Sequence, residues 1–345
     1  LEGQPPDRIE HFWRQAHGSG FSHRPDPSVQ GVVSGLEMAC WDIVGKALDR
    51  PVHALLGGLV NERLRTYTYL YPGPDQDAAD FYNDATASAE TASLRVAEGF
   101  TAVKFDPAGQ YTVYDGRMPD LEALERSERF CREIRAAVGD SADMLFGTHG
   151  QFTAAGALRL AQRLEPYDPL WFEEPCPPDM PEEMAKVAAS TTIPVATGER
   201  LCSKFEFARV LDHSAAAILQ PDLGRAGGIL EGKKIAAMAE TRYVQIAPHL
   251  YCGPIVAAAN IQLAACIPNF LILESIGRMD GFHAELLKTP LRWEDGYILP
   301  PTAPGLGVEL NDDVVAAHPW QGDRLHLEMG DAPHDPRRHG PFAGG

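Results

Sequence analysis

Positive charge is scarce in this sequence, cysteine is thinly spread, and long apolar runs are missing. Thirty Lys and Arg residues face 48 Asp and Glu, for a formal net charge of −18 at pH 7. That deficit argues against nucleic acid as the main partner, because phosphate binding needs a basic surface. An anionic substrate stays open, since a bound metal ion reverses the local potential. The six cysteines (Cys40, Cys131, Cys176, Cys202, Cys252 and Cys266) contain no CxxC pair. Their scatter suits reduced thiols better than a disulfide framework or a zinc site. No apolar run approaches the ~20 residues of a membrane span. The polar opening LEGQPPDRIEHF does not read as a signal peptide. These absences lead to the expectation of a soluble, cytoplasmic chain with no membrane partner.

What is present is a regular alternation. The first segment reads as helical, with VVSGLEMACWDIVGKAL placing Leu36, Ala39, Cys40, Ile43 and Ala47 on one face and Ser34 as its N-cap. LLGG, Leu55 to Gly58, closes that region. From Arg63 onward, strand-like runs RLRTYTYLY, AVKFDP, DMLFG, LWFEEP, PVATGER, AAILQPD, VQIAPH and FLILES alternate with helical segments. One of those, from Asp77 to about Gly99, reads as a single alanine-rich helix. Several strands are continuous apolar runs, as expected for strands covered on both faces. Eight alternating units predict an α/β fold, a (β/α)8-type TIM barrel, with a doubly wound sheet as the weaker alternative. At 345 residues such a barrel can absorb the chain as one domain. After Glu274 the pattern gives way to Pro- and Gly-rich sequence, and the tail APHDPRRHGPFAGG reads as disordered.

Catalytic residues of such a barrel come from the C-terminal ends of several strands. Those ends carry Lys104 and Asp106, Gly147 and His149, Glu173 and Glu174, Glu199, Asp222, His249, and Glu274. Gly147, Glu173 and Glu199 follow one another at intervals of 26 residues, one βα unit apart. Glu173 and Glu199 thus fall at the same height on adjacent strands, where two carboxylates repel unless a cation lies between them. Oxygen donors of this kind suit Mg²⁺ or Mn²⁺. Asp222 and His249 end neighbouring units and suggest an acid-base pair, the carboxylate fixing the tautomer of the imidazole and raising its basicity.

With these residues the chain resembles the enolase superfamily, of the mandelate racemase/muconate lactonizing enzyme type, in its acid-sugar dehydratase or cycloisomerase branch. The resemblance rests on SGLEMACWDIVGKALDRPVHALLGG, the FEEP and TGER strand ends, QPDLGRAGG, APHLYCGP, LES and PPTAPGLGVEL, and it covers nearly the whole chain. It implies a barrel with a smaller α+β capping domain: residues 1–62 as its N-terminal part, 63–278 as the barrel, and 279–345 as the returning segment and tail. It also implies a Mg²⁺-assisted removal of the proton α to the carboxylate of a small sugar acid, in a homo-oligomer of two to eight copies. Lys or His bases with Mg²⁺ serve this chemistry across the superfamily. By position, Glu173 and Glu199 match the second and third metal ligands and Asp222–His249 the base. Glu274 matches the acid that hydrogen-bonds the developing oxyanion.

Three departures accompany the resemblance. Where the family often has Lys-x-Lys, this chain reads Lys104-Phe105-Asp106, which disfavours a two-base racemase. Lys104 remains a candidate for contacting the substrate carboxylate. Gly147 stands where the first metal ligand, usually Asp, belongs. His149 lies two residues on, on the same strand face; it is either a compensating ligand or, as in the galactonate dehydratase group, the acid that helps a β-hydroxyl leave. The usual first antiparallel sheet is not recognisable before the first helix. Asp106, Tyr111 and Tyr114, the tyrosines in the loop PAGQYTVYDGRMPD, are candidate substrate contacts. The expected reaction is β-elimination by a dehydratase. The alternatives are cycloisomerisation of a lactone or anhydro sugar acid, one-base epimerisation, and a binding protein that has lost catalysis.

Overall fold

In a computed structural model of the protein, residues 2–19, 26–322 and 329–333 are described. Most of the tail read as disordered lies outside them. Helices α1 (Ile9–Gly18), α2 (Pro27–Ala47) and α3 (Val52–Leu55) precede strand β1 (Leu64–Tyr69). There follow α4 (Ala78–Phe81), α5 (Ala85–Ala97), β2 (Ala102–Phe105), α6 (Leu121–Val138), β3 (Asp143–Gly147), α7 (Ala154–Leu164) and β4 (Trp171–Glu173). The alternation continues through α8 (Pro181–Ala188), β5 (Val195–Thr197), α9 (Lys204–Asp212), β6 (Ile218–Leu219), α10 (Ile229–Glu240), β7 (Gln245–Ile246), α11 (Pro254–Ala265) and β8 (Leu273–Ser275). The returning segment adds α12 (Phe282–Glu285), β9 (Trp293–Glu294), β10 (Tyr297–Ile298) and α13 (Asp312–Ala317). All eight strand expectations are met in order.

The chain divides into two compact units. One comprises residues 67–197, 212–217 and 320–345; the other comprises 1–66, 198–211 and 218–319. In the first, strands β2 to β5 and the end of β1 run parallel in sequence order. Gly147 is registered opposite Glu173 and Glu173 opposite Ala196, so these strand ends stand level. Side chains alternate between faces. Phe105, Phe146 and Phe172 stack edge-to-face on one side, with ring centroids 5.8 and 5.4 Å apart. Lys104, Leu145, Gly147, Trp171 and Glu173 take the other. The strand residues of β2 and β4 are wholly buried, which explains their continuous apolar reading.

The second unit holds β6 and β7 in parallel and the β9–β10 hairpin, whose β10 runs antiparallel to the start of β1. Its core gathers Leu64, Leu250, Ala257, Ile261, Ala264, Leu273, Met279 and Ile298. Helix α2 packs tightly on the returning segment. A Cβ on Gly45 would stand 2.6 Å from the Cα of Gly305, so both positions need glycine. The backbone N–H of Leu306 donates to Asp42 Oδ1 at 2.9 Å.

Three local expectations are corrected. Ser34 is no N-cap: Asp26 caps α2 by accepting from the N–H groups of Ser28 and Val29. Ser34 lies in the helix interior, donating to the carbonyl of Gln30 and accepting from the N–H of Gly227. The face carrying Leu36 and Ile43 is exposed, at 42% and 51%. Gln30, Val33, Ser34, Glu37 and Met38 are buried instead, because this face serves the loop before α10. Glu37 accepts from the N–H groups of Ile229 and Leu230 at 2.7 and 2.9 Å, supplying the cap that α10 lacks locally. The alanine-rich helix is interrupted, with Asp77 and Asp84 each capping a separate helix.

Candidate active site

In the first unit, strand ends β2, β3 and β4 bring five side chains together. Lys104 Nζ donates to Glu173 Oε1 at 2.6 Å, and Trp171 Nε1 donates to Glu173 Oε2 at 3.1 Å. His149 Nδ1 lies 2.8 Å from Asp106 Oδ2, and the Tyr111 hydroxyl donates to the same oxygen. That hydroxyl is also 2.6 Å from His149 Nδ1, with the two rings edge-on at 74°. The loop that carries His149 is held to strand end β4. Thr148 Oγ1 donates to the carbonyls of Glu173 and Glu174 at 3.2 and 2.8 Å, and Gly150 N–H donates to the Glu174 carbonyl at 2.7 Å. These bonds hold His149 and Glu174 in the left-handed region, at φ 43° and 40°, a conformation that costs free energy for non-glycine residues.

In the second unit, His249 Nδ1 lies 2.8 Å from Asp222 Oδ2. Asp222 Oδ1 accepts from Gly224 N–H at 2.7 Å, an Asx-turn that fixes the carboxylate. The far nitrogen of His249, Nε2, is 3.5 Å from Glu199 Oε2 and 3.9 Å from Glu274 Oε2. Glu274 Oε2 also accepts from the N–H of Leu250, and Asn260 Nδ2 donates to the His249 carbonyl. Arg225 Nη1 donates to the carbonyl of Glu199. Burial alone pulls the His249 pKa down. Glu274, Glu199 and the hydrogen bond to Asp222 outweigh it and push the value up to about 9.

Lys104, Asp106, Tyr111, His149 and Glu173 therefore form one cluster, and Glu199, Asp222, His249 and Glu274 form another. Tyr114 joins neither: it is 55% exposed and its backbone N–H donates to Thr112 Oγ1 in its own loop. Trp171, Thr148, Arg225 and Asn260 were not singled out by sequence. Trp171 had a readable signal, since it precedes Glu173 by two residues and so shares its strand face.

Gly147 offers no donor, and among the described residues no group of three or more His, Cys, Asp or Glu side chains is arranged to hold a metal. The donor chemistry nevertheless fits an oxygen-liganded ion. Glu173 in the first unit and Glu199 in the second are each a buried carboxylate, and Mg²⁺ commonly uses one or two carboxylates with water and substrate oxygens. All six cysteines are free thiols, and none enters either cluster. No described helix is long and apolar enough to cross a membrane.

Residues 87–314 match the family described as Enolase C-terminal domain-like. The chain belongs to the enolase superfamily. Within the superfamily it is of the mandelate racemase/muconate lactonizing enzyme type, and it is an enzyme. A crystal structure of mandelate racemase/muconate lactonizing enzyme from Sulfitobacter sp. is similar to it, with 58% identity, a TM-score of 0.93, and coverage of 96% of this chain and 84% of that one. A mandelate racemase/muconate lactonizing enzyme-like protein from Roseovarius sp. matches with 58% identity and a TM-score of 0.94 over 96% of this chain and 84% of its own. A D-galactonate dehydratase of Ralstonia nicotianae is 40% identical over 321 residues, 91% of this chain and 80% of that protein. The fold class of this enolase-superfamily enzyme is accordingly the family's: α/β with parallel strands, of the TIM-barrel type with a capping domain.

Proposed function

We propose that the enzyme dehydrates a sugar acid by removing the proton α to its carboxylate and expelling the β-hydroxyl. The observation that carries this reading is the pairing of two histidines with two aspartates, each through Nδ1 at 2.8 Å. Elimination of water needs one group to take a proton and another to give one. The 40% identity to a D-galactonate dehydratase supports a sugar acid as the substrate class.

His249, oriented by Asp222, takes the α-proton on Nε2. Glu274 hydrogen-bonds the carboxylate oxygen on which charge develops. Lys104 contributes positive charge toward the substrate carboxylate. Glu173 and Glu199 would hold Mg²⁺ or Mn²⁺, which when bound supplies Lewis acidity at that carboxylate. His149 gives its proton to the departing hydroxyl oxygen. The C–O electron pair leaves with that oxygen as water, and the resulting enol becomes a 2-keto-3-deoxy acid. With Asp106 in place of a second lysine base, epimerisation is the less favoured outcome.

The test is a screen of acid sugars and their lactones with Mg²⁺. Keto acid is followed by semicarbazide and α-proton exchange by NMR in deuterium oxide. Keto-acid formation from an open-chain acid sugar is expected. Absence of both turnover and exchange across the library would overturn the reading, and product from lactones alone would replace it with cycloisomerisation.

A further inference from the structure

We propose that Asp106 and Tyr111 are positioning residues that make His149 an acid, and that Gly147 is glycine because Asp106 occupies its surroundings. The proposal rests on the reading of His149 as the group that protonates the leaving hydroxyl.

Asp106 is poorly placed to bind substrate. Its side chain is 1% exposed, and its Oδ2 already receives both His149 Nδ1 and the Tyr111 hydroxyl. The His149 side chain is 25% exposed, so the imidazole is the member of the cluster that reaches outward. A carboxylate on Nδ1 fixes the proton there in the neutral ring and directs the exchangeable proton to Nε2, on the far side of the ring. It also stabilises the imidazolium present before transfer. Tyr111, itself buried, meets the ring edge-on and anchors the same oxygen, so Asp106 and His149 cannot rotate independently. When Nε2 releases its proton to the leaving oxygen, the ring returns to its neutral form with the proton still on Nδ1, hydrogen-bonded to Asp106.

The same arrangement accounts for Gly147. A Cβ there would lie 3.7 Å from Asp106 Oδ2 and 3.6 Å from Lys104 Cε. That contact is sterically tolerable, but a carboxylate built on the Cβ would face the Asp106 carboxylate in a buried setting. Two like charges so close cannot both remain ionised without a cation. Glycine at 147 and aspartate at 106 therefore belong together.

The experiment uses the full chain with Mg²⁺ and an acid sugar turned over in the screen, comparing Asp106→Asn, Tyr111→Phe and His149→Asn. Keto-acid formation and α-proton exchange are measured separately, and each variant is also given the β-fluoro analogue, whose leaving group needs little proton assistance. Positioned general acids contribute roughly 10²–10⁴-fold. Asp106→Asn is expected to slow elimination by about 100-fold and Tyr111→Phe by about 10-fold, each with exchange within about twofold of wild type. Elimination from the β-fluoro analogue should return to near the wild-type rate. If His149→Asn blocks elimination while both other variants run at the wild-type rate, the positioning role is overturned. Loss of exchange together with elimination, unrescued by the fluoro analogue, would reduce Asp106 and Tyr111 to structural residues and overturn it as well. If His149→Asn itself eliminates water at the wild-type rate, the underlying reading of His149 fails instead.

Discussion

His149 and His249 make the same 2.8 Å bond from Nδ1 to an aspartate, yet the structure gives them different surroundings. His249 sits among carboxylates on both sides of its ring, with Asp222 on Nδ1 and Glu199 and Glu274 near Nε2. Its side chain is 12% exposed, and its backbone lies outside the strained left-handed region. His149 shares the Asp106 carboxylate with a phenol, is twice as open to solvent, and sits on a left-handed residue. A hydrogen bond to aspartate therefore does not by itself decide whether an imidazole takes or gives a proton. The charges beyond that bond decide it. Three acidic neighbours stabilise the cation that a base becomes. A carboxylate shared with a phenol, beside a ring more open to solvent, suits a group that must hand its proton onward.

The sharpest way to break this comparison is His249→Asn, expected to lower α-proton exchange and turnover by about 10⁴-fold, the upper end of acid–base contributions. Exchange that persists near the wild-type rate would remove His249 from the base role. Asp222→Asn should cost about 10³-fold by unfixing the tautomer, with KM little changed. A parallel rise in KM alone would point to substrate binding. Glu37 shows what burial does to a carboxylate that has N–H partners only. Burial is the largest influence and raises its pKa to about 7, against the opposing bonds from Leu230, Ile229 and Trp41. The folded state therefore holds this proton more tightly than the unfolded chain. Its contribution to stability is full below pH 4.5 and falls as pH rises to about 7, by about 3 kcal/mol. Glu37→Gln should flatten that slope in urea unfolding measured from pH 4.5 to 8, and identical slopes would refute the assignment. The smallest effect expected is from Thr148→Val. Loss of the hydroxyl that ties the His149 loop to strand end β4 should cost about 1 kcal/mol in unfolding and slow elimination more than exchange.

Much of the arrangement was legible because its causes are local. The eight strand ends could be read from apolar runs closed by Gly, Pro or a charge, and the 26-residue interval put Gly147 level with Glu173, as the register confirms, whereas the next interval fails because Glu173 pairs with Ala196 rather than Glu199. Asp222-Leu223-Gly224 carried its own Asx-turn. The role of α2 was not legible. Its buried face is Gln30, Ser34 and Glu37 while Leu36 and Ile43 face outward, so hydrophobic periodicity pointed to the wrong side. The reason lies almost two hundred residues away, in the N–H groups at the start of α10 that Glu37 satisfies. The partners of Asp106 were hidden for a similar reason. Its place on a strand end suggested a substrate contact, whereas Tyr111 and His149, reached through a loop and the next strand, already occupy its oxygen.

The long reach of α2 has a consequence for how the protein is made. Glu37 finds its N–H partners 192 and 193 residues later, and Asp42 finds Leu306 after 264 residues. At roughly 5–20 residues per second, the ribosome needs on the order of 10–50 s to deliver Leu306 after Asp42 has emerged. During that interval α2 carries a solvated acid where the fold will bury one. Contacts of such sequence separation form late and slow folding. A helix translated this far ahead of its partners is thus among the last elements of its unit to be locked.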